Sequence, residues 1–151
     1  LSPQLLICDE PTAALDVSIK SQIANLLRDM RDELHLGLLF IAHDLATVRY
    51  LCDRVMVLYL GRVMEIAPRA AVYGAARHPY TRALLAANPL PDPSQSQSAA
   101  PLLGELPRLT DVPGGCVFRH RCPMALARCA EEVPLLRTVG ASIVACHRAE
   151  E

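Results

Sequence analysis

The sequence predicts an α/β fold with a small cysteine-bearing appendage, and three observations carry that reading. First, a short apolar run, Leu5-Leu6-Ile7-Cys8, is followed by apolar residues at helical spacing and then by a second apolar run, Leu38 to Ala42. Strand, helix, strand at this length is a βαβ unit, and a crossover of that kind makes the two strands parallel. Second, Asp9 and Glu10 close the first run and His43 closes the second. Parallel strands bring all three to one edge of the sheet, outside the carboxyl ends of the strands, where open α/β sheets bind ligands. Third, the pattern changes after about residue 88. A Pro/Ser/Gln/Asp stretch leads into a segment with little periodicity and four of the six cysteines.

Each element has a local reason. Leu5 to Cys8 is long enough for a strand buried on both faces. Pro11 forbids its continuation in a sheet interior. Asp16 is placed to cap the next helix, with Ser18 in its first turn. Ile19, Ile23, Leu26, Leu27, Met30 and Leu34 form that helix's apolar stripe, and Gly37 is a natural stop. Leu38 to Ala42 is the second buried strand. Asp44 caps a short helix, Leu45 to Leu51. Arg54 to Tyr59 and Arg62 to Ala67 flank Leu60-Gly61 as a β-hairpin. Pro68 opens a short helix towards Tyr73. His78-Pro79 is a turn, and Tyr80 to Ala87 another helix. Pro89 to Pro101 reads as a linker. Beyond it, only Met124 to Cys129 is periodic.

With 151 residues, of which 52% are hydrophobic, the chain can bury a core although only 4% is aromatic. A net charge of −1 argues against a nucleic-acid footprint, which needs a basic face. Lys20 is the only lysine; the other fourteen basic residues are arginines. No apolar run approaches the roughly 18 residues of a membrane span. No signal peptide is legible in the sequence. Cys8, in a strand, and Cys52, at a helix end, read as buried thiols that pack as small hydrophobes.

The stretch Leu5-Leu6-Ile7-Cys8-Asp9-Glu10-Pro11-Thr12-Ala13-Ala14-Leu15-Asp16 closely resembles the Walker B motif and D-loop of ABC-type ATPases. Ile41-Ala42-His43-Asp44 resembles their switch-histidine loop. His78-Pro79-Tyr80-Thr81-Arg82-Ala83-Leu84-Leu85 and the cysteines from Cys116 onward resemble the C-terminal extension of the dipeptide and oligopeptide import branch. The resemblance covers nearly the whole chain. It implies the C-terminal part of a P-loop ABC ATPase core over residues 1–75 and an oligopeptide-transporter-type extension over 76–151, with the linker at about 89–101. By the same resemblance Asp9 is the Mg²⁺-site aspartate and Glu10 the catalytic glutamate. His43 is the switch histidine at the γ-phosphate and water. Asp16 is the D-loop aspartate linking two ATPase subunits, a role that can coexist with capping. The chemistry needs such residues, because phosphoryl transfer is mostly positioning and charge neutralisation, with a base near the attacking water.

The implied function is ATP-hydrolysing energy coupling for di- or oligopeptide import, with ATP and Mg²⁺ as cofactors. The implied partners are a second ATPase subunit, identical or not, and membrane-spanning permease subunits. The peptide is met only indirectly, and the site of action is the cytoplasmic face of a bacterial inner membrane. Substrate choice among dipeptide, oligopeptide and nickel lies in other subunits. Two rivals stay open: a non-transport ABC ATPase, and a truncated, non-catalytic remnant that binds a metal.

The family's phosphate loop, G-x-x-x-x-G-K-[ST], is missing; Lys20 follows Ile19 inside the first helix. The glutamine loop and the serine-glycine signature loop are also missing. A two-stranded parallel sheet would leave much apolar surface uncovered. The chain also starts at Leu1 rather than Met. We therefore expect a piece of a longer subunit, inactive as an ATPase by itself.

Cys116, Cys122, Cys129 and Cys146 are spaced C-x5-C-x6-C-x16-C. Four thiolates can bind Zn²⁺ or a [4Fe–4S] cluster, although zinc knuckles usually begin with closer pairs. The resemblance gives these four the ligand role, with iron–sulfur, zinc, and free thiols or disulfides all open. His120 and His147 are substitute ligands or ordinary hydrogen-bonding histidines. The His78 segment itself reads as a turn and an amphipathic helix whose value is diagnostic.

Overall fold

The computed structural model describes residues 3–87 and 113–150. The linker expected at about 89–101 lies outside them. Two compact units divide between Asp53 and Arg54, and each is built from its own sequence logic.

In the first unit, β1 (Leu5–Asp9) and β2 (Gly37–Ile41) pair in parallel, with Leu5 opposite Gly37 and Asp9 opposite Ile41. The helix between them, α1, spans Val17–Leu34, and Asp16 caps it by accepting a 3.0 Å bond from Ile19 N–H. Asp44 caps α2 (Leu45–Leu51) in the same way. Ala24, Leu27 and Leu51 form the core, and Leu6, Cys8, Ile23, Phe40 and Cys52 pack against it. Cys8 and Cys52 lie half-buried in that apolar setting, outside any disulfide.

Two expectations need correction here. The strands were expected to bury both faces, yet Leu5, Ile7, Leu39 and Ile41 are 54%, 60%, 43% and 45% exposed. Period-2 geometry turns alternate side chains to opposite faces, and among the described residues the helices cover only the face bearing Leu6, Cys8 and Phe40. The helix stop is also not Gly37. His35 takes the left-handed conformation at the end of α1 (φ 51°). Gly37 is instead the first residue of β2, where a Cβ would stand 3.3 Å from the Gln4 carbonyl and Leu5 Cδ1. It marks a close approach of two strands rather than a cap.

The second unit is an antiparallel sheet of order β3-β4-β6-β5. β3 (Arg54–Tyr59) and β4 (Arg62–Pro68) form the expected hairpin, and Leu60 and Gly61 both adopt positive φ at its turn. That geometry matches the twist of the flanking strands. Val55, Val57 and Tyr59 face inward while Arg54, Met56 and Leu58 face out. Pro68 leads into α3 (Arg69–Ala75), and α4 runs Pro79–Ala87. Met124 to Cys129 is not one helix: a 3₁₀ turn at Arg119–Arg121 precedes it and α5 (Arg128–Glu131) overlaps only its end.

β5 (Arg137–Val139) and β6 (Ser142–Val144), not anticipated from the sequence, add a second hairpin to the edge of β4, with Glu65 opposite Val144. This pairing joins residues on both sides of the 75/76 line drawn from the resemblance. The core here is Tyr59, Met64, Cys116, Val117, Phe118 and Cys129, with Tyr80 and Cys122 against it. Three of the chain's six aromatic rings gather at this point. Tyr59 lies 4.7 Å from Tyr80 and 5.4 Å, edge-on, from Phe118, which is 5.2 Å from Tyr80. Such pairs contribute beyond their buried area, so a few rings order a unit that is otherwise poor in them.

Candidate functional site

The parallel register decides the geometry of the first unit's edge. Because Asp9 pairs with Ile41, the residues that follow each strand emerge side by side. Glu10 leaves the sheet in the left-handed region, φ 44°, while its N–H still bonds to the Ile41 carbonyl at 2.9 Å. A non-glycine residue in that conformation is uncommon and costs energy. The bend aims the carboxylate at the neighbouring loop. Glu10 Oε1 lies 3.3 Å from His43 Nδ1, and the two side chains are 53% and 67% exposed. The chain beyond is a compact turn, with Ala13 N–H on the Glu10 carbonyl, Leu15 N–H on that of Thr12, and Thr12 buried.

Asp44, next to His43, fixes that loop with both oxygens. Oδ1 accepts from Ala46 N–H at 3.0 Å, and Oδ2 from the Thr47 hydroxyl at 2.6 Å. Burial pushes the Asp44 carboxyl upward. The hydrogen bonds from Thr47 and Ala46, with Lys20 nearby, outweigh it and hold the group below its usual range. The structure thus brings Glu10 and His43 together and sets Asp9, exposed, at the strand end beside them. Asp16 is engaged at its cap.

Chemically, a carboxylate touching an imidazole beside a second carboxylate can orient a water, hold a proton and present oxygen to a cation. No sequence signal announced the positive φ of Glu10.

In the second unit Cys116, Cys122, Cys129 and Cys146 are free thiols. Among the described residues no group of three or more His, Cys, Asp or Glu side chains is arranged to hold a metal ion. The donor chemistry nevertheless suits one. Backbone N–H groups of Leu126 and Arg148 reach the sulfurs of Cys129 and Cys146, each at 3.4 Å. Those of Phe118 and Met124 serve Cys116 and Cys122. Burial raises the Cys116, Cys122 and Cys146 thiols, and these N–H groups oppose it. Of the two histidines considered as substitute ligands, His147 Nε2 contacts the Glu132 carbonyl at 3.2 Å, and His120 is exposed.

The His78-Pro79-Tyr80-Thr81 segment is more than a turn before an amphipathic helix, and here the sequence reading is corrected. His78, Pro79 and Thr81 are buried. Glu65, wholly buried on β4, accepts from Arg77 N–H at 3.0 Å and His78 N–H at 2.9 Å. His78 Nδ1 accepts from Tyr80 N–H at 3.0 Å, and its ring lies 5.9 Å from Phe118. Burial holds the His78 imidazole neutral, lowered to about 4. The segment therefore ties the start of α4 to the sheet and to the cysteine-bearing region. Glu65 escaped notice in the sequence because a single glutamate inside Arg62–Ala67 carries no signal of its burial.

Residues 64–129 match the family described as the C-terminal region of oligopeptide/dipeptide transporters. The chain is 55% identical, over 92% of its length, to a Brucella ovis protein provisionally named as a peptide import ATP-binding protein, covering 44% of that protein. It is 49% identical to the oligopeptide transport ATP-binding protein OppF of Escherichia coli, over 97% of this chain and 44% of that one. It is 46% identical to the di/tripeptide transport ATP-binding protein DppF of Pseudomonas aeruginosa, over 100% of this chain and 47% of that one. The chain spans somewhat under half the length of these relatives. A mixed α/β unit with Asp-Glu and His at one sheet edge, followed by the transporter-type region, fits that alignment. By sequence, then, the chain is similar to part of the ATP-binding proteins of peptide and oligopeptide ABC import, and its residues 64–129 to the C-terminal region of such transporters.

Proposed function

We propose that this chain supplies the water-activating half of an ATP site in the energy-coupling subunit of a di- or oligopeptide importer. The observation that carries the reading is the 3.3 Å contact between Glu10 and His43 at the carboxyl edge of a parallel strand pair. Glu10 takes the attacking water's proton, and His43 orients Glu10 and the terminal phosphate. Asp9 would hold Mg²⁺. When bound, the metal neutralises charge developing on the phosphate oxygens. Asp16 caps α1 and meets the second ATPase subunit. The phosphate-cradling loop, glutamine loop and signature loop come from elsewhere in the full protein. Residues 1–75 belong to the ATPase core and 76–151 to the extension. The assembly works against permease subunits at the cytoplasmic face of the inner membrane. The chain alone neither binds ATP tightly nor turns it over.

In the full-length subunit, Glu10→Gln is expected to cut turnover by about 10²–10⁴-fold with ATP binding retained. His43→Ala should do the same. Wild-type turnover in the Glu10→Gln protein would remove Glu10 as the base. ATP hydrolysis by the isolated 151-residue chain would overturn the division of labour. Purification of the subunit with ribosomes or DNA ends, not permeases, would favour the non-transport reading.

The four cysteines are the second part of the proposal, as ligands of a [4Fe–4S] cluster or of zinc. The support is their donor chemistry and the N–H groups directed at each sulfur, which offset part of the burial that raises the Cys116, Cys122 and Cys146 thiols. Iron, acid-labile sulfide and zinc are measured in protein prepared without oxygen. About four irons per chain identify the cluster, and about one zinc a structural site. Absence of both metals removes the ligand role.

A further inference from the structure

Three of the four cysteines reach their places locally, and the fourth does not. Cys116, Cys122 and Cys129 share the stretch 116–129 and gather at one core. Cys116 N–H donates to the Cys129 carbonyl at 2.8 Å, so that stretch closes on itself. Cys146 arrives separately, just past the end of β6, yet bears electrostatically on the other three.

The peptide that brings it is held in two ways. Val144 pairs with Glu65, and Ala145 N–H donates to the Met64 carbonyl at 2.9 Å, which binds the approach to β4. Past Ala145 the side chain of Arg137, opposite Val144 on β5, takes over. Its Nη2 donates to the carbonyls of Cys146 and His147, each at 3.1 Å. Its Nη1 donates to Glu150 Oε1 at 3.0 Å, which steadies the group from the other end. A guanidinium is planar and presents its donors in a fixed fork. Two consecutive carbonyls bonded to it therefore have their peptide planes set. With those carbonyls turned to Arg137, the Arg148 N–H meets the Cys146 sulfur at 3.4 Å. Groups that orient a ligand from outside in this way govern how well a metal is held.

We propose, on the reading that the four cysteines are metal ligands, that Arg137 is the positioning residue that seats Cys146 as the fourth. Arg137 itself touches no metal and acts through the backbone of Cys146 and His147.

The test compares the wild-type chain with Arg137→Met, which keeps a long apolar stem and removes every donor. The side chain is 42% exposed, so the change opens no cavity in the core. Both proteins are prepared without oxygen. Release of their iron or zinc to a chelator is timed, and iodoacetamide labelling of each cysteine is read by mass spectrometry before and after stripping. In the wild type, bound metal should protect all four sulfurs. Arg137→Met should release metal about 10–100-fold faster. Its Cys146 should be labelled while Cys116, Cys122 and Cys129 stay protected. Equal labelling of all four would reduce Arg137 to a strap on the whole unit and overturn the proposal. Wild-type protection of Cys146 in the variant would overturn it too, with the ligand reading intact. A wild type that holds no metal removes both. Should circular dichroism show Arg137→Met unfolded, Arg137→Lys carries the test. It keeps the charge without the fork, so its Cys146 should still be labelled faster than in the wild type, and parity refutes the role.

Discussion

Replacing Glu65 separates two accounts of its burial. The wild-type carboxylate divides its oxygens between two backbone donors, Arg77 N–H at 3.0 Å and His78 N–H at 2.9 Å. Hydrogen bonds to a charged acceptor contribute about 1.5–3 kcal/mol each, and a buried donor left without a partner costs about 1–3 kcal/mol. Glutamine keeps one acceptor oxygen and turns an NH₂ towards the other N–H. That change loses roughly 3–5 kcal/mol. Removing a buried charge returns part of it, since desolvating a carboxylate is itself unfavourable. The net expectation for Glu65→Gln is a loss of about 2 kcal/mol.

Glu65→Leu strands both donors and should cost about 4 kcal/mol. The assay is urea unfolding followed by tyrosine fluorescence, which is clean because the chain has no tryptophan and which Tyr59 and Tyr80 report from within the core. With a slope of about 1–1.5 kcal/mol per molar for a unit this small, Glu65→Gln should move the midpoint down by about 1.5 M. If Glu65→Leu matches or exceeds the wild type, burial of the charge dominates and the hydrogen-bond account fails.

His78 is neutral when folded, with its pKa lowered to about 4, against 6.5 for the free group. Between those values the unfolded chain takes up a proton that the native one refuses. Stability is therefore full above about pH 6.5, falls as pH drops towards 4 by about 3 kcal/mol, and is flat below. His78→Gln should abolish that slope in acid titrations of the unfolding midpoint. Asp44→Ala removes a cap made with both oxygens and should cost about 1–2 kcal/mol; hydrogen exchange at Ala46 should rise with it. Gly115→Ala would set a Cβ 2.4 Å from the Cys129 carbonyl oxygen at φ 66°, whereas Gly61→Ala meets nothing within 4 Å. The first should prevent the second unit from folding. The second should cost about 1 kcal/mol, the strain of a positive φ alone. Similar midpoints for the two would discredit the contact.

Much of the first unit could be read from the sequence, because its elements are long enough for periodicity to speak. The spacing from Ile19 to Leu34 marked α1 and Asp16 and Asp44 marked the caps; in the second unit Leu60-Gly61 marked the first hairpin. The pairing of Glu10 with His43 followed from parallel topology alone. What escaped was decided at longer range. The strands' second faces looked interior because their residues are apolar, and composition does not say whether a neighbour is present to cover them. His35 stood in for glycine at a helix end, which a histidine rarely does. β5 and β6 are three residues each, too short for alternation to register, although Val139-Gly140-Ala141-Ser142 between β-branched residues carried a faint turn signal. His78 read as part of a plain turn because its burial depends on contacts with Glu65 and with Phe118, forty residues on, that no local pattern announces.

The pairing of β4 with β6 also sets an order of assembly. The β3–β4 and β5–β6 hairpins each close through a two-residue turn and can form from local sequence in microseconds. Joining them brings Glu65 to Val144, a closure across more than half of the chain. The entropy of that closure grows only slowly with the length between them, whereas folding rate falls as contacts become less local. Lengthening or shortening the stretch between residues 88 and 112 is thus a change of tempo more than of stability. If a chain cut within that stretch reassembles, the two hairpins will meet as separate molecules, at a rate set by their concentration.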